Sequence, residues 1–104
     1  MKIQILHNSA CGFWQTAKNL LEEVLWEKGI TESIEEVFVS SDEEAIHYRF
    51  AGSPQILIDG KDIDPMAEKI INFHESGCRF YIWQDKVYEY PPKKMIEEVL
   101  NKEN

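Results

Sequence analysis

KIQILHNSACGFWQTA, from Lys2 to Ala17, is the stretch that decides the fold. Its apolar first part predicts a buried strand, Asn8 to Gly12 a turn, and the residues from Trp14 onward a helix. Cys11 is thereby expected where a strand ends and a helix starts, and there free backbone N–H groups and the helix dipole favour a thiolate. The thiolate is the reactive form of cysteine, so Cys11 is a candidate nucleophile. The alternative is that Cys11 is a small, inert, buried residue.

Length and charge limit the classes of protein to consider. The chain has 104 residues, of which 43% are hydrophobic, so we expect a single domain over residues 1–104. It contains no apolar stretch long enough to span a membrane and no signal-peptide pattern, which favours the cytoplasm. Nineteen acidic and eleven basic residues give a net charge of -8. That charge repels phosphate backbones and anionic lipids, so we expect neither nucleic acid nor a membrane as partner.

Further elements follow from periodicity and capping signals. Apolar residues at helical spacing predict that the first helix covers Trp14 to Lys28. A second strand is predicted at Ser33 to Val39. Ser41 followed by Glu44 is a capping-box signature, which predicts a short helix from Asp42 to Arg49.

A second informative stretch is Ala51 to Asp64, AGSPQILIDGKDID. A proline precedes its apolar core, and Asp59 and Gly60 follow it. This pair of residues is typical of a tight turn. This pattern predicts a strand followed by a hairpin. The simplest interpretation of Pro54 is an ordinary trans proline at the start of an edge strand.

Together, the cysteine turn and the Ser53–Pro54 strand resemble glutaredoxins, and the turn matches their single-cysteine branch. The resemblance implies a thioredoxin-like α/β fold, with a cis proline packed beside the active Cys11. It also implies that the residue before this proline offers its backbone to an extended thiol partner. The substrate-binding residues carried over in this way are Gly12, Phe13, Trp14, Ser53 and Pro54.

The sequence also departs from glutaredoxins. Trp14 occupies the place of a second cysteine, so a short-range disulfide is excluded. Asp64, Pro65 and Met66 replace the Gly-Gly that holds glutathione, and the basic residue usual before the cysteine is missing. These departures argue against glutathione dependence, and we expect no cofactor.

The last third predicts a hairpin and a helix. Cys78 to Trp83 and Val87 to Tyr90 are the expected strands, and Pro92 to Lys102 is the expected helix. We interpret the alternating aromatic residues as cross-strand packing, with a substrate platform as the alternative. This part resembles small bacterial thioredoxin-like proteins described as related to alkylmercury lyase. The expected architecture is a central mixed sheet, with two parallel strands and an antiparallel proline-led hairpin, covered by helices on both faces.

Three functions are compatible with these residues. In the favoured one, a thiol–disulfide oxidoreductase, Cys11 attacks a disulfide, persulfide or mixed disulfide of a protein or small molecule, and Cys78 or an external thiol resolves the product. We expect Cys11 to be the faster thiol, because Cys78 is expected to begin an apolar strand. The alternatives are a soft-metal carrier or sensor and a non-catalytic interaction module.

Two hypotheses concern both cysteines. Any internal disulfide must join Cys11 to Cys78, which requires residues 65–77 to fold back over the cysteine turn. His7 and His74 each precede a cysteine by four residues, which allows a two-Cys, two-His metal site. Because no established metal-binding signature is present, no metal ligand is assigned.

Overall fold

The computed structural model describes residues 1–103 and has a mixed α/β architecture. In chain order its elements are β1 (Ile3–His7), α1 (Trp14–Glu27), β2 (Ile34–Phe38), α2 (Asp42–Tyr48), β3 (Gln55–Ile58), β4 (Lys61–Asp62), a 3₁₀ turn (Pro65–Lys69), β5 (Tyr81–Trp83), β6 (Lys86–Tyr88) and α3 (Lys93–Glu103).

The central sheet is mixed and has the strand order β2-β1-β3-β4. β1 and β2 are parallel, and Ile3 lies opposite Ile34. β3 is antiparallel to β1, and β4 completes the expected hairpin after the turn at Asp59 and Gly60. The predicted mixed sheet, with its parallel pair and its antiparallel hairpin, is therefore confirmed.

Helices cover both faces of this sheet, because its central strands are apolar on both sides. Ile3, Ile5, Ile56 and Ile58 pack with α1 and α3 in one core. The alternate residues, among them Leu6 and Leu57, pack with α2 in a second core. Such continuous apolar runs are typical of strands that are buried on both faces.

Local sequence signals account for the helix boundaries. α1 buries the stripe formed by Ala17, Leu21, Val24 and Leu25. At the start of α2 the Ser41 hydroxyl accepts a hydrogen bond from the Glu44 backbone N–H, as the capping signature predicts. Among the described residues, no helix is both long and apolar enough to cross a membrane.

The last third differs from the sequence interpretation at one place that matters. Cys78 does not begin a strand: β5 starts only at Tyr81, and Cys78 instead makes an isolated parallel bridge with Ser53. Tyr81 lies opposite Tyr88 in the small β5-β6 sheet, and Trp83, Tyr88 and Tyr90 pack against the core cluster that contains Tyr81. The helix starts at Lys93 rather than Pro92, because the Pro92 carbonyl accepts the first hydrogen bonds of the helix.

Candidate functional site

The site is built around a disulfide between Cys11 and Cys78, which are 67 residues apart in the sequence. Cys11 belongs to the turn between β1 and α1, which we call the Cys11 turn (residues 8–13). Cys78 belongs to the irregular chain before β5, which we call the Cys78 segment (residues 75–79). Their Cα atoms are 5.7 Å apart, so the chain folds back as the disulfide hypothesis required.

The backbone of Ser53 holds the Cys78 segment in place. The Ser53 N–H donates to the Gly77 carbonyl at 3.0 Å, and the Arg79 N–H donates to the Ser53 carbonyl at 3.0 Å. The Ser53–Pro54 peptide bond is cis, as the resemblance implied. The resemblance also implied that Ser53 offers its backbone to an external thiol partner. In this structure the chain's own Cys78 segment uses both of those backbone groups.

Gly52 permits the close approach of this segment. A Cβ atom at Gly52 would lie 2.7 Å from the carbonyl carbon of Cys78, closer than real side chains approach. Its φ of +109° is also a conformation that residues with a side chain rarely adopt. Only glycine therefore allows the two backbones to pair at this point.

Asn8 joins the two cysteine-bearing stretches through one buried side chain. Its Oδ1 accepts from the Cys11 N–H at 3.0 Å. Its Nδ2 donates to the carbonyls of Glu75, at 2.6 Å, and Gly77, at 2.9 Å. Sequence reasoning missed Asn8 because it seemed an ordinary turn residue, and nothing in the sequence indicated its distant acceptors.

A buried ion pair anchors the residue after Cys78. Arg79 makes two hydrogen bonds to the Asp62 carboxylate, at 2.7 and 2.8 Å, and their side chains are only 5% and 9% exposed. Burial lowers the pKa of Arg79, but the hydrogen bonds and charge of Asp62 outweigh burial, so the pKa is raised. This guanidinium stays charged, and its charge is neutralised by Asp62.

Tyr81 extends this anchor into the core. Its ring lies under the Arg79 guanidinium, 4.8 Å from ring centroid to Cζ, and its hydroxyl donates to the Pro54 carbonyl. The side chain is fully buried, and burial raises the pKa of its hydroxyl above the ordinary value of 10.0. Tyr81 therefore stays neutral and connects the Cys78 segment to the start of β3.

The disulfide opens onto a cavity of 180 Å³. Of the predicted substrate-binding residues, Gly12, Phe13 and Ser53 line it. The remaining lining comes from both cysteines and from Ala10, Arg79, Phe80 and Glu89. Trp14 and Pro54 do not line this cavity. Trp14 stacks on His7, with ring centroids 3.9 Å apart, and Pro54 is buried.

The hypothesis of a two-Cys, two-His metal site is wrong for this structure. His7 is buried against Trp14, and its Nε2 lies 3.3 Å from Glu36 Oε1 without hydrogen-bond geometry. Among the side chains of residues 1–102, no three of His, Cys, Asp or Glu come together as a metal site. Sequence spacing suggested these ligands, but the His7 ring packs on Trp14 and Phe38, and both sulfur atoms are joined in the disulfide.

The two sulfur-bearing residues differ in environment. α1 begins at Trp14, so Cys11 lies three residues before the first helical residue. Cys11 is half-buried, and its Sγ lies 3.5 Å from the Gly77 carbonyl oxygen, whereas Cys78 is exposed. The expectation that Cys78 begins an apolar strand is therefore wrong, and Cys78 is the more exposed of the two residues.

A larger cavity, of 400 Å³, lies away from the disulfide and contains neither cysteine. Residues of α2 and of the β3-β4 hairpin line it, among them Asp62. The Arg49 guanidinium there lies over the Phe73 ring, 4.8 Å from its centroid. The thiol chemistry therefore belongs to the smaller cavity.

Comparison with known proteins relates nearly the whole chain to one family. Residues 6–99 match the family described as Domain of unknown function (DUF2703). The curated proteins and the solved structures gave no match. The matched range includes both cysteines and the side chains that hold them.

Proposed function

Because the chain belongs to the family described as Domain of unknown function (DUF2703), which names no activity, we propose a function from the site itself. The protein is a thiol–disulfide oxidoreductase in which Cys11 and Cys78 alternate between dithiol and disulfide. Its partners are thiols or disulfides of proteins or small molecules. The sheet order and the position of Cys11 after β1 support a thioredoxin-like fold as part of this proposal.

One observation carries the proposal: two distant cysteines meet at the edge of an open cavity, and other contacts hold both of them. Asn8 and the Ser53 backbone do not depend on the disulfide for their hydrogen bonds. The two thiols therefore stay close after reduction, which favours reversible closure. In the cytoplasm, the expected compartment, such a disulfide is typically transient and functional rather than structural.

The exchange proceeds in two balanced steps. A partner thiolate attacks one sulfur of the protein disulfide, the S–S bond breaks, and the other cysteine leaves as a thiolate that takes a proton from water. A second partner thiolate then attacks the mixed disulfide and releases the oxidised partner. The protein gains two electrons and two protons, which two partner thiols lose.

The roles of the two cysteines follow from their exposure and from their distance to the start of α1. Cys78 is the exposed residue, so it receives the partner and carries the mixed disulfide. Cys11, three residues before the start of α1, is the leaving thiolate, because the positive end of a helix dipole favours a nearby thiolate. In the reverse direction Cys11 resolves the mixed disulfide on Cys78. This reverses the order expected from the sequence.

The test uses the two single variants Cys11→Ser and Cys78→Ser. Wild-type protein, in catalytic amounts, is expected to accelerate the reduction of insulin disulfides by dithiothreitol. With either variant, the accelerated rate should be at least about tenfold lower than with wild type. With an aromatic disulfide as probe, Cys11→Ser should form its mixed disulfide faster than Cys78→Ser.

Two results would contradict the proposal. A native disulfide that excess dithiothreitol leaves intact would exclude reversible exchange. Equal acceleration by wild type and by the Cys11→Ser, Cys78→Ser double variant would show that the thiols are not used. Faster trapping on Cys11 would preserve the redox function but exchange the two roles.

A further inference from the structure

Two phenylalanine rings flank the disulfide on its open side. Each follows a cysteine by two residues: Phe13 is 48% exposed and Phe80 is 56% exposed. Both line the cavity of the disulfide. Phe13 has a left-handed backbone, with φ of 68°, which costs a residue with a side chain about 1 kcal/mol. Large apolar side chains held in water beside a reactive group are typical of a binding surface.

The charge of this cavity is negative. Only two of its lining residues are charged, Arg79 and Glu89. The Arg79 guanidinium is buried and paired with Asp62, so it offers little positive charge to a ligand. Glu89 is exposed, and none of the side chains of residues 1–102 forms an ion pair or hydrogen bond with it. The net charge of -8 adds to the local field.

We propose that the partner of this disulfide is a cysteine in a polypeptide segment that carries an apolar and a basic side chain beside it. This inference rests on the proposed function and names its class of partner. The apolar side chain packs on Phe13 and Phe80, while the basic one lies near Glu89. Glutathione, an anionic thiol without a large apolar group, is disfavoured on both counts.

The chemical step requires two equivalents of the peptide thiol. The first attacks Cys78 Sγ as a thiolate and displaces the Cys11 thiolate, which takes a proton from water. The second attacks the peptide sulfur of the mixed disulfide and releases peptide disulfide, and Cys78 then takes a proton. The protein disulfide is reduced and the two peptide thiols are oxidised.

The experiment measures how fast oxidised protein is reduced by four thiols: glutathione and three capped peptides with one cysteine each. The cysteine is flanked by Phe and Arg, by Phe and Glu, or by Ser and Arg. Rates are expressed per thiolate, so that differences in the thiolate fraction cancel. The Phe/Arg peptide should be fastest, about fivefold above either other peptide and further above glutathione.

Two variants assign this preference to the cavity. Glu89→Lys should reverse the order of the Phe/Arg and Phe/Glu peptides, because it changes the local charge by two units. Phe80→Ser should reduce the advantage of the Phe/Arg peptide over the Ser/Arg peptide. The matched control is Glu98→Lys on α3, an exposed charge outside the cavity, which should keep the wild-type order.

The outcomes separate this inference from the function on which it rests. If dithiothreitol does not reduce the native disulfide, the proposed function fails and this inference fails with it. If dithiothreitol reduces it but wild type and Glu89→Lys show the same order of rates with the Phe/Arg and Phe/Glu peptides, only the inference is overturned. The same holds if Glu98→Lys changes the order as much as Glu89→Lys, because the preference is then general and not local.

Discussion

The two stretches that carry the cysteines are held in different ways. The Cys11 turn lies between neighbours in the sequence, β1 and α1, which determine where it begins and ends. The Cys78 segment is followed by β5 but preceded by irregular chain. The residues that hold it are distant in the chain: Asn8, Asp42, Ser53 and Asp62. The comparison teaches that half of a two-cysteine site can be local while the other half depends on tertiary contacts.

The largest expected effect concerns the covalent link between the two stretches. A disulfide that closes a loop of 67 residues contributes about 4 kcal/mol to the free energy of unfolding by restricting the unfolded chain. Cys78→Ser should be less stable than oxidised wild type by about this amount and similar to reduced wild type. Denaturant unfolding of the three samples measures it, and a variant as stable as oxidised wild type would contradict the prediction.

The next effect concerns the ion pair that anchors the Cys78 segment. Arg79→Met leaves the Asp62 carboxylate buried without its positively charged partner, which should lower the free energy of unfolding by about 3 kcal/mol. The control is Lys93→Met, which breaks the exposed pairs with Glu23 and Glu27 and should have a much smaller effect. Equal losses in the two variants, measured by chemical denaturation, would show that the anchor is unimportant.

The third prediction tests Asn8, which contacts both stretches. Asn8→Ala removes three partly buried hydrogen bonds that hold the two stretches together. Their loss should reduce the preference for the disulfide over the dithiol by about 2 kcal/mol. The disulfide equilibrium against a glutathione redox buffer should then shift about 30-fold toward the dithiol. The control is Asn19→Ala on the exposed face of α1, which should leave this equilibrium unchanged. Lower stability with an unchanged equilibrium would make Asn8 a structural residue only.

A smaller effect is expected where the contact with the Cys78 segment is indirect. Ser41 caps α2, and the next residue, Asp42, accepts a hydrogen bond from the Glu75 N–H at 2.9 Å. Ser41→Ala should lower the free energy of unfolding by about 1 kcal/mol through loss of the cap. The disulfide equilibrium should stay as in wild type. A shift in that equilibrium would mean that the helix start also positions Cys78.

The smallest effect is a pH dependence at the same helix start. Hydrogen bonds from Ser40 hold the pKa of Glu44 below its ordinary value of 4.5. The ionised carboxylate therefore stabilises the fold above that ordinary value, and the contribution is lost as the pH falls through the lowered pKa. The stability difference between wild type and Glu44→Gln should shrink on acidification. Thermal unfolding at neutral and acidic pH measures it, and a pH-independent difference would refute it.

Much of the fold could be predicted because its signals are local. The predicted starts of α1 and α2 are correct to the residue, since helix periodicity and the Ser41 cap act within a few positions. The hairpin after Pro54 is correct for the same reason. The apolar run after Cys78 predicts a strand that includes this residue. The run does not indicate that the backbone of Cys78 pairs with Ser53 instead.

The candidate site was only half predictable. Cys11, Gly12, Phe13 and Ser53 follow from two short motifs, and the structure brings them to one cavity. The Asn8 contacts, the Arg79–Asp62 pair and the charge of Glu89 were missed. Each depends on a partner or a neighbour from another part of the chain, and no sequence period links such residues.

By itself, the sequence determined the order of strands and helices, the apolar faces that drive burial, and the presence of a cysteine at a strand-to-helix turn. Only the tertiary structure decided that Cys78 reaches this turn, that it is exposed there, and that the chain's own backbone uses Ser53. The physical reason is the distance along the chain over which each kind of interaction acts. Helix periodicity, capping and tight turns act between residues a few positions apart, whereas the meeting of residues 67 positions apart requires the packed sheet, the Gly52 contact and the buried hydrogen bonds of Asn8.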